Sequence, residues 1–376
     1  MPEGRSHNDS ALFYWLALER VPRVGPLTMA RLFDAFGSPR VALEASADEI
    51  KRRAGLNENV ARAIAVFTPQ ANEIAKDIEL LGDLGARVVT RWDEGYPPNL
   101  VEIYDPPAFL FIRGDLTEED NRAVAMVGAR NPSRYGIEMA EKIAEDLARS
   151  GITIVSGLAR GIDTACHTAA LKAGGRTIGV LGCGIDVVYP RENKALIEEV
   201  ARCGAVITEF RPGTAPLATN FYRRNRIVSG LSRGVVVVEA GKKSGSLITA
   251  HHGLDQNREV LAVPGNVMNI RSKGPHLLIK EGAALVESAE DVIQNVFASA
   301  EPVKQTTIFE VKDGPGDLSE DARAVLDGID LDPIPIDALC QSLEMEAGRL
   351  SGILLELELR GLIRQHPGKM FARVVH

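Results

Sequence analysis

The sequence lacks any long apolar segment. Hydrophobic residues make up 45% of the 376 residues, yet no stretch approaches the roughly 18 consecutive apolar residues that a membrane span requires. The opening residues, MPEGRSHNDS, are polar and have no apolar core of the kind found in signal peptides. We therefore expect a protein that has no membrane association and is located in the cytoplasm.

Cysteine is scarce, and none of the four cysteines belongs to a CxxC pair. We interpret all four as buried thiols in a reducing compartment. The pair His251-His252 has no carboxylate or cysteine at metal-ligand spacing. We therefore expect neither a metal nor a cofactor. The four cysteines are Cys166, Cys183, Cys203 and Cys340.

Catalytic motifs are also missing. The sequence shows no Ser-His-Asp arrangement and no Walker A motif, and Gly182-Cys183-Gly184 begins a GxGxxG motif that fails because Val187 replaces its third glycine. Binding of NAD is therefore weakly supported. His167 is either a catalytic base or a structural histidine whose hydrogen bonds are satisfied, and the structural role is the more common one for such a residue.

Net charge gives no indication of a nucleic-acid partner. There are 43 Lys and Arg residues against 51 Asp and Glu residues, which leaves a net charge of −8. Aromatic residues make up 5% of the chain. Binding to DNA would therefore depend on a local cluster of cations.

Nine short apolar runs fill the middle of the chain, and from Val124 onward a helix-length segment separates almost every pair. Such runs are typical of parallel strands that are buried on both faces. We predict a Rossmann-like, doubly wound, mostly parallel sheet over residues 80–297. The runs lie at 87–92, 108–114, 123–128, 152–157, 177–182, 205–210, 235–240, 259–265 and 284–288.

The segment before the sheet, residues 1–75, is predicted to be helical and to resemble a SAM or helix-hairpin-helix module. The turn Gly25-Pro26 opens an amphipathic helix, and Gly37 is placed to end it. The backbone amides at such a glycine turn can hold a DNA phosphate. The alternative is a packing module that makes no contact with DNA, and the sequence leaves both open.

Residues 298–316 end in Gly-Pro-Gly and are predicted to be a linker. Residues 317–376 show three helical segments followed by a hairpin that turns at Pro367-Gly368, the order of a winged helix. The predicted recognition helix, 345–360, carries three glutamates against two arginines. Recognition helices that bind DNA are basic, so we predict a protein-contact or packing role for this domain.

Glycines, hydroxyls and cations follow five of the predicted strands. Because ligands bind outside the carboxyl ends of the strands in an open α/β sheet, we expect these loops to form an anion site large enough for a polyanion. Any one serine could serve only as a helix N-cap, and any one glycine only as a tight turn. The candidate DNA- or phosphate-binding residues are Gly128, Arg130, Ser133, Arg134, Ser156, Gly157, Arg160, Gly161, Gly182, Gly184, Arg191, Phe221, Arg223, Arg224, Asn225, Arg226, Lys243, Ser244 and Ser246.

The most informative of these loops contains Phe221 and the run Arg223-Arg224-Asn225-Arg226. Guanidinium groups bind phosphate oxygens in bidentate fashion. An aromatic ring beside them offers a base a stacking surface, which favours single strands over duplex. The amide of Asn225 could pair with a base edge or fix a loop.

The ordered stretches VAMVGARNPSRYG, IVSGLARGIDTACHTAAL, GVLGCGIDVVYPREN, FYRRNRIVSGLS and VVVVEAGKKSGSLITA resemble the DprA/Smf family of DNA-processing proteins over roughly 100–287. The resemblance implies a non-enzymatic protein that protects incoming single-stranded DNA, helps to load RecA recombinase in natural transformation and dimerises through the Rossmann-like domain. It also implies a DNA site next to the SGLARGID loop. Tyr222 and the segment HHGLDQNRE depart from the usual family pattern. The DNA-site residues that it implies are Arg130, Arg191, Phe221, Arg224 and Arg226.

Two alternatives belong to other classes. Lysine-decarboxylase-like (LOG) phosphoribohydrolases share this type of sheet and cleave nucleotides, but they rely on a PGGxGTxxE loop. The corresponding loop here, EAGKKSGSLITA, lacks the glycine pair and the catalytic glutamate. The second alternative is a scaffold whose loops bind a small regulatory nucleotide.

Overall fold

The computed structural model describes residues 5–297, 318–329, 334–343, 345–360, 362–366 and 370–373. The chain forms two compact units, residues 1–302 and 303–376. The predicted linker at 298–316 and the predicted turn at Pro367-Gly368 lie outside the described residues.

The first unit begins with six helices. Helix α2 starts with proline at its first position, where the missing amide costs no hydrogen bond. It ends at Gly37, whose φ of 69° is the left-handed conformation that favours glycine. The prediction of a helix that opens at Gly25-Pro26 and ends at Gly37 is confirmed. The helices are α1 (Arg5–Glu19), α2 (Pro26–Phe36), α3 (Pro39–Glu44), α4 (Ala47–Ala54), α5 (Glu58–Ala65) and α6 (Ala71–Asp83).

A nine-stranded sheet follows. Each strand overlaps one of the nine predicted runs, and two of the strands begin one residue before their run. The elements are β1 (Ala86–Thr90), α7 (Pro98–Val101), β2 (Phe109–Gly114), β3 (Ala123–Val127), α8 (Arg134–Arg149), β4 (Thr153–Ser156), α9 (Ile162–Lys172), β5 (Thr177–Val180), α10 (Lys194–Cys203), β6 (Ala205–Thr208), α11 (Ala218–Gly230), β7 (Gly234–Val237), α12 (Gly245–Asp255), β8 (Glu259–Ala262), α13 (Lys273–Lys280), β9 (Ala284–Leu285) and α14 (Ala289–Phe297).

The strand order is β1-β2-β6-β5-β4-β3-β7-β8-β9. The direction in which the chain adds strands to the sheet reverses at β3. From β3 the chain adds β4, β5 and β6 on one side, and then adds β7, β8 and β9 on the other. All these neighbours pair in parallel, whereas β1–β2 and β2–β6 are antiparallel. The prediction of a mostly parallel sheet is confirmed, and its ligand crevice is expected between the loops after β3 and β7.

Helices cover both faces of the sheet. Alternate residues of a strand point to opposite faces, so Ala125 packs with the buried residues of α11, α12 and α13, whereas Met126 packs with those of α8, α9 and α14. The N-terminal helices also contribute to the sheet's packing, because Trp15 and Leu32 share one core with Phe111 of β2. The helical module and the sheet therefore belong to the same compact unit.

The second unit has its own core, which includes Leu339, Leu354 and Phe371. Its strands pair antiparallel in the order β10-β12-β11. Three helices followed by a strand pair confirm the predicted winged helix. Its elements are α15 (Glu320–Asp327), β10 (Ile334–Pro335), α16 (Ile336–Ser342), α17 (Ala347–Leu359), β11 (Ile363–His366) and β12 (Met370–Arg373).

All four cysteines are free thiols, but the prediction that all are buried is wrong. Cys166 and Cys183 are buried, Cys340 is half-buried, and Cys203 is exposed because it is the last residue of α10 and faces solvent. Within the described residues, no helix combines the length and apolarity needed to cross a membrane. The same residues include no cluster of three or more His, Cys, Asp or Glu side chains that could hold a metal ion.

Candidate nucleic-acid interface

A cleft of about 870 Å³ lies at the carboxyl ends of the parallel strands. Loops after β3, β4, β5, β6 and β7 all contribute to its lining, so the five predicted loops meet at one place. A sixth loop, after β8, contributes Ile270 and Arg271. The predicted residues that line the cleft are Gly128, Arg130, Gly157, Phe221, Arg224, Asn225, Ser244 and Ser246.

Phe221 of α11 lines the cleft and has two arginines and a tyrosine around its ring. The guanidinium carbon of Arg130 lies 5.7 Å from the centroid of its ring, and that of Arg224 lies 5.8 Å away. The ring of Tyr189 is 5.3 Å from it, centroid to centroid. A Cβ on Gly182 would lie 2.5 Å from the Phe221 ring. Gly182 is therefore required for the close approach of Phe221 to the end of β5.

Arg130 has an exposed guanidinium without a carboxylate or hydrogen-bond partner among the residues that the structure describes. A cation of this kind remains available to an incoming anion, because no internal ion pair has to be broken first. Arg130 is held at the cleft by the loop after β3. It is the strongest candidate for a phosphate contact.

Arg224 is buried, and its guanidinium is fixed by the protein. Its Nη1 donates to the carbonyl oxygens of Gly157, at 2.7 Å, and Val180, while its Nε donates to Oδ1 of Asn225 at 3.3 Å. Burial lowers the pKa of Arg224 to about 10, with nearby Asp163 opposing the change, so the group stays charged at neutral pH. Its Nη2 donates no hydrogen bond to any described residue and therefore can serve a ligand.

Two side chains fix the loops around this guanidinium. The carboxylate of buried Asp163 accepts the backbone N–H groups of Gly157 at 3.2 Å and Ala159 at 3.3 Å, so it holds the loop after β4. Burial raises the pKa of Asp163, and the charge of Arg224 opposes that rise. Asn225 donates from Nδ2 to the Gly245 carbonyl at 3.2 Å. This bond joins α11 to the first residue of α12, and pairing of the Asn225 amide with a base edge stays a prediction.

The N-terminus of α12 faces the cleft, whereas the N-terminus of α8 is occupied by a carboxylate of the protein itself. Ser244 caps α12, and its Oγ lies 2.7 Å from Oγ of Ser246. Ser133 caps α8 but also donates to the buried carboxylate of Glu239, from its N–H at 2.8 Å and from its Oγ at 2.6 Å. A phosphate at the start of α8 would meet that carboxylate, so the helix is closed to anions.

Several other predicted residues have structural contacts. Ser156 is fully buried and donates to the Met126 carbonyl at 2.6 Å. Gly161 has a φ of 79°, and a Cβ there would lie 2.4 Å from the Ala129 carbonyl oxygen. A Cβ on Gly184 would lie 2.5 Å from Oδ1 of Asp186. These residues shape the loops, and a role for them in DNA binding stays a prediction.

The remaining predicted cations lie outside the cleft lining. Arg134 pairs with Glu138 at 2.7 Å, and Arg160 pairs with Glu192, in both cases at the surface. Arg191 and Lys243 are exposed, and neither has an ion-pair partner within the described ranges. Their contact with DNA stays a prediction.

Arg223 and Arg226 point toward the end of β6. Both pair with the buried Glu209, with Nη2 of Arg226 at 2.5 Å and that of Arg223 at 3.3 Å. Arg226 is itself buried and also lies 3.2 Å from Oδ2 of Asp105. Its charge is therefore neutralised inside the protein, two residues along α11 from Arg224.

The site prediction omitted Tyr189, Tyr222 and Arg271, which all line the cleft. Both tyrosines lie in loops or helices that the prediction already covered. Arg271 follows β8 and donates from Nε to the Asn131 carbonyl at 2.6 Å. It could have been found by extending the search to the loop after β8, because β8 is the neighbour of β7.

His167 does not line the cleft. It is fully buried, and its Nδ1 lies 2.7 Å from Oγ1 of Thr177. Thr177 donates its own proton to the Ile154 carbonyl at 2.7 Å, so Nδ1 carries the proton of a neutral ring. Burial lowers the pKa of His167 to about 3. The structural role fits this environment.

Comparison with known proteins gives three family-model matches that follow one another along the chain. The model described as DNA recombination-mediator protein A matches residues 87–297. The DprA-like N-terminal HHH domain matches 9–66, and the DprA winged helix domain matches 312–369. The predicted helix-hairpin-helix module and winged helix therefore both have family counterparts.

Individual proteins agree with these matches. The DNA processing protein DprA of Bacillus subtilis is 42% identical over 250 residues, which are 66% of this chain and 82% of that protein. The X-ray structure of DprA from Streptococcus pneumoniae has a TM-score of 0.67 and 37% identity, and covers 75% of this chain and 97% of its own.

A structure of DNA processing protein A from Helicobacter pylori, described for its single-stranded DNA binding mode, has a TM-score of 0.51 and 28% identity. It covers 57% of this chain and 96% of its own. The family-model match extends over more than half of the chain and contains the entire cleft. The chain therefore belongs to the DNA recombination-mediator protein A family, also named DprA or Smf.

Proposed function

We propose that this protein binds single-stranded DNA in the cleft. The observation that carries the proposal is the pair of guanidinium groups on Phe221: Arg130 has no internal partner among the described residues, and Arg224 is buried with Nη2 unused. Two cations beside an aromatic ring match adjacent phosphates and a base. The single-stranded DNA binding mode of the Helicobacter pylori relative supports the same ligand.

A single strand suits this site better than a duplex. The aromatic ring lies within the cleft, so a base has to leave its own stack to reach it. In a duplex that step also breaks a base pair, whereas a single strand has no pair to break. We therefore propose tight binding to oligo-dT and weaker binding to duplex DNA.

Within the cell we propose that the protein acts in the cytoplasm, protects incoming DNA and helps to load RecA recombinase during natural transformation. Membership of a family of DNA recombination mediators supports this role. It can be tested by adding the protein to oligo-dT that is already coated by a single-strand-binding protein. The expected result is faster assembly of RecA, measured as its DNA-dependent ATP hydrolysis.

We further propose that the protein forms a homodimer through the sheet domain. β9 lies at the end of the sheet, and the loop before α13 exposes Val267 at 64% and Met268 at 85%. Leu277 and Leu285 are also exposed on the same part of the chain. Light scattering is expected to give a dimer mass, and the double variant Val267→Asp, Met268→Asp is expected to give a monomer.

The DNA-binding proposal is tested by titrating fluorescent oligo-dT with wild type and with Arg130→Ala. Loss of a charge-assisted contact costs about 1.5–3 kcal/mol, so affinity should fall about tenfold or more. The salt slope should fall by about 0.7, the value for one phosphate of a single strand. Arg149→Ala is the matched control, because Arg149 lies on α8 in an exposed ion pair with Glu145. Equal affinities for wild type and Arg130→Ala would contradict the proposal.

The nucleotide-cleaving alternative is tested by incubation with nucleoside monophosphates. We expect no release of base. The carboxylate of Glu239, in the loop after β7, is bound by Ser133 and faces α8. Release that depends on Glu239 would favour the enzyme over the DNA-binding protein.

A further inference from the structure

The most exposed aromatic ring in the cleft belongs to Tyr222, not to Phe221. Tyr222 lines the cleft and is 56% exposed. Phe221 contacts two guanidinium groups and the Tyr189 ring, and one edge lies against Gly182. Phe221 is therefore half-buried but still lines the cleft, whereas a larger part of Tyr222 is open to a ligand.

The Tyr222 ring has one aromatic neighbour, on the adjacent helix. His252 of α12 meets it edge-on, with ring centroids 5.9 Å apart and planes at 75°. The two helices are also joined by the hydrogen bond from Asn225 to the Gly245 carbonyl. An edge-on contact leaves a face of the tyrosine ring free.

We propose that Tyr222 is a second stacking surface, which takes the nucleobase next to the one held at Phe221. This inference depends on the proposed binding of single-stranded DNA. Successive residues of an α-helix point about 100° apart, so bases on the two rings cannot remain stacked on each other. The cleft therefore binds a strand whose neighbouring bases are separated.

The test uses the full chain and oligo-dT shortened to the minimum length that keeps full affinity, which fixes the register. Tyr222→Ala is expected to weaken binding about five- to tenfold, near the lower end for loss of one stacked base, because the ring is partly open to water. Tyr222→Phe keeps the ring and should recover most of the loss. Tyr104→Ala is the control, since Tyr104 is 87% exposed and does not line the cleft.

A second measurement separates stacking from a general structural effect. Each position of the short oligonucleotide is replaced in turn by an abasic site. Wild type should show two sensitive positions, of which Tyr222→Ala abolishes one and Phe221→Ala the other. Unchanged affinity in Tyr222→Ala, or two abasic penalties that persist in it, would overturn the inference.

The outcomes also separate this inference from the proposed function. If wild type fails to bind oligo-dT, both are wrong. If wild type binds and Arg130→Ala weakens binding, but Tyr222→Ala has no effect, DNA binding stands and only the second stacking surface is lost.

Discussion

Gly182→Ala tests whether Phe221 owes its position to the absence of a side chain at the end of β5. The added Cβ would lie 2.5 Å from Cδ1 and 2.8 Å from Cε1 of Phe221, where ordinary contact begins at 3.4 Å. The ring or the strand would therefore have to move by roughly 0.9 Å, the difference between these distances. Overpacking of this kind costs about 1–3 kcal/mol.

The ring has little freedom to move, because Tyr189, Arg130 and Arg224 surround it. We therefore expect Gly182→Ala to lower both the free energy of unfolding and the affinity for oligo-dT. Urea denaturation measures the first and a fluorescence titration the second. Gly82→Ala is the control, because no atom lies within 4 Å of the Cβ added to this exposed helical glycine.

A double-mutant cycle identifies the cause. In the background of Phe221→Ala the clash is absent, so Gly182→Ala should lose most of its cost, giving a coupling of about 0.5–3 kcal/mol. If Gly182→Ala costs the same in both backgrounds, the contact between these two residues does not explain the glycine.

Three further predictions concern the surroundings of the cleft. Arg226→Ala leaves Glu209 buried without its main partner, so we expect a loss of about 3–5 kcal/mol of stability, and a variant that unfolds like wild type would contradict a structural role. The pKa of His167 is depressed from 6.5 to about 3, so its neutral form stabilises the fold fully above pH 6.5. That stability is lost as pH falls, by about 1.6 kcal/mol between pH 6.5 and 5, and His167→Asn should remove this dependence in thermal unfolding at the two pH values. Removal of residues 303–376 should leave affinity for oligo-dT unchanged, and weaker binding would show that the winged helix contributes.

The sheet could be predicted because its strands are buried on both faces. A short run of β-branched residues such as VVVV at 235–238 favours a buried strand over a helix or a loop. The antiparallel edge formed by β1 and β2 could not be predicted, because pairing order depends on contacts between distant segments. The packing of Trp15 and Leu32 against the sheet could not be predicted for the same reason.

The cleft was predicted in outline but not in its details. Loops that follow parallel strands meet at one edge, which is why Arg130, Gly157 and Phe221 come together. The partners of the individual arginines could not be predicted. Arg224 and Arg226 look equivalent in the sequence, yet Arg224 lines the cleft and Arg226 pairs with Glu209. A helix directs residues two positions apart toward different sides, and only the fold shows what lies there.

In the winged helix, both arginines of the predicted recognition helix have carboxylate partners. Arg349 of α17 pairs with Asp321, and Arg360 after it pairs with Glu356 at 2.7 Å. Both cations of the predicted recognition helix are therefore engaged within their own unit. A role other than DNA recognition stays a prediction for this domain.

The carboxylate of Glu239 occupies the start of α8, where an external anion would otherwise bind. Folds of this type hold the pyrophosphate of a dinucleotide at the corresponding helix. Here a tethered anion lies there, with the high effective concentration of an intramolecular group. A soluble nucleotide would have to displace it and leave a buried carboxylate without its partner. We expect that neither a soluble nucleotide nor a phosphate of DNA binds at the start of α8, so that an anion in the cleft is held by the arginines beside Phe221 instead.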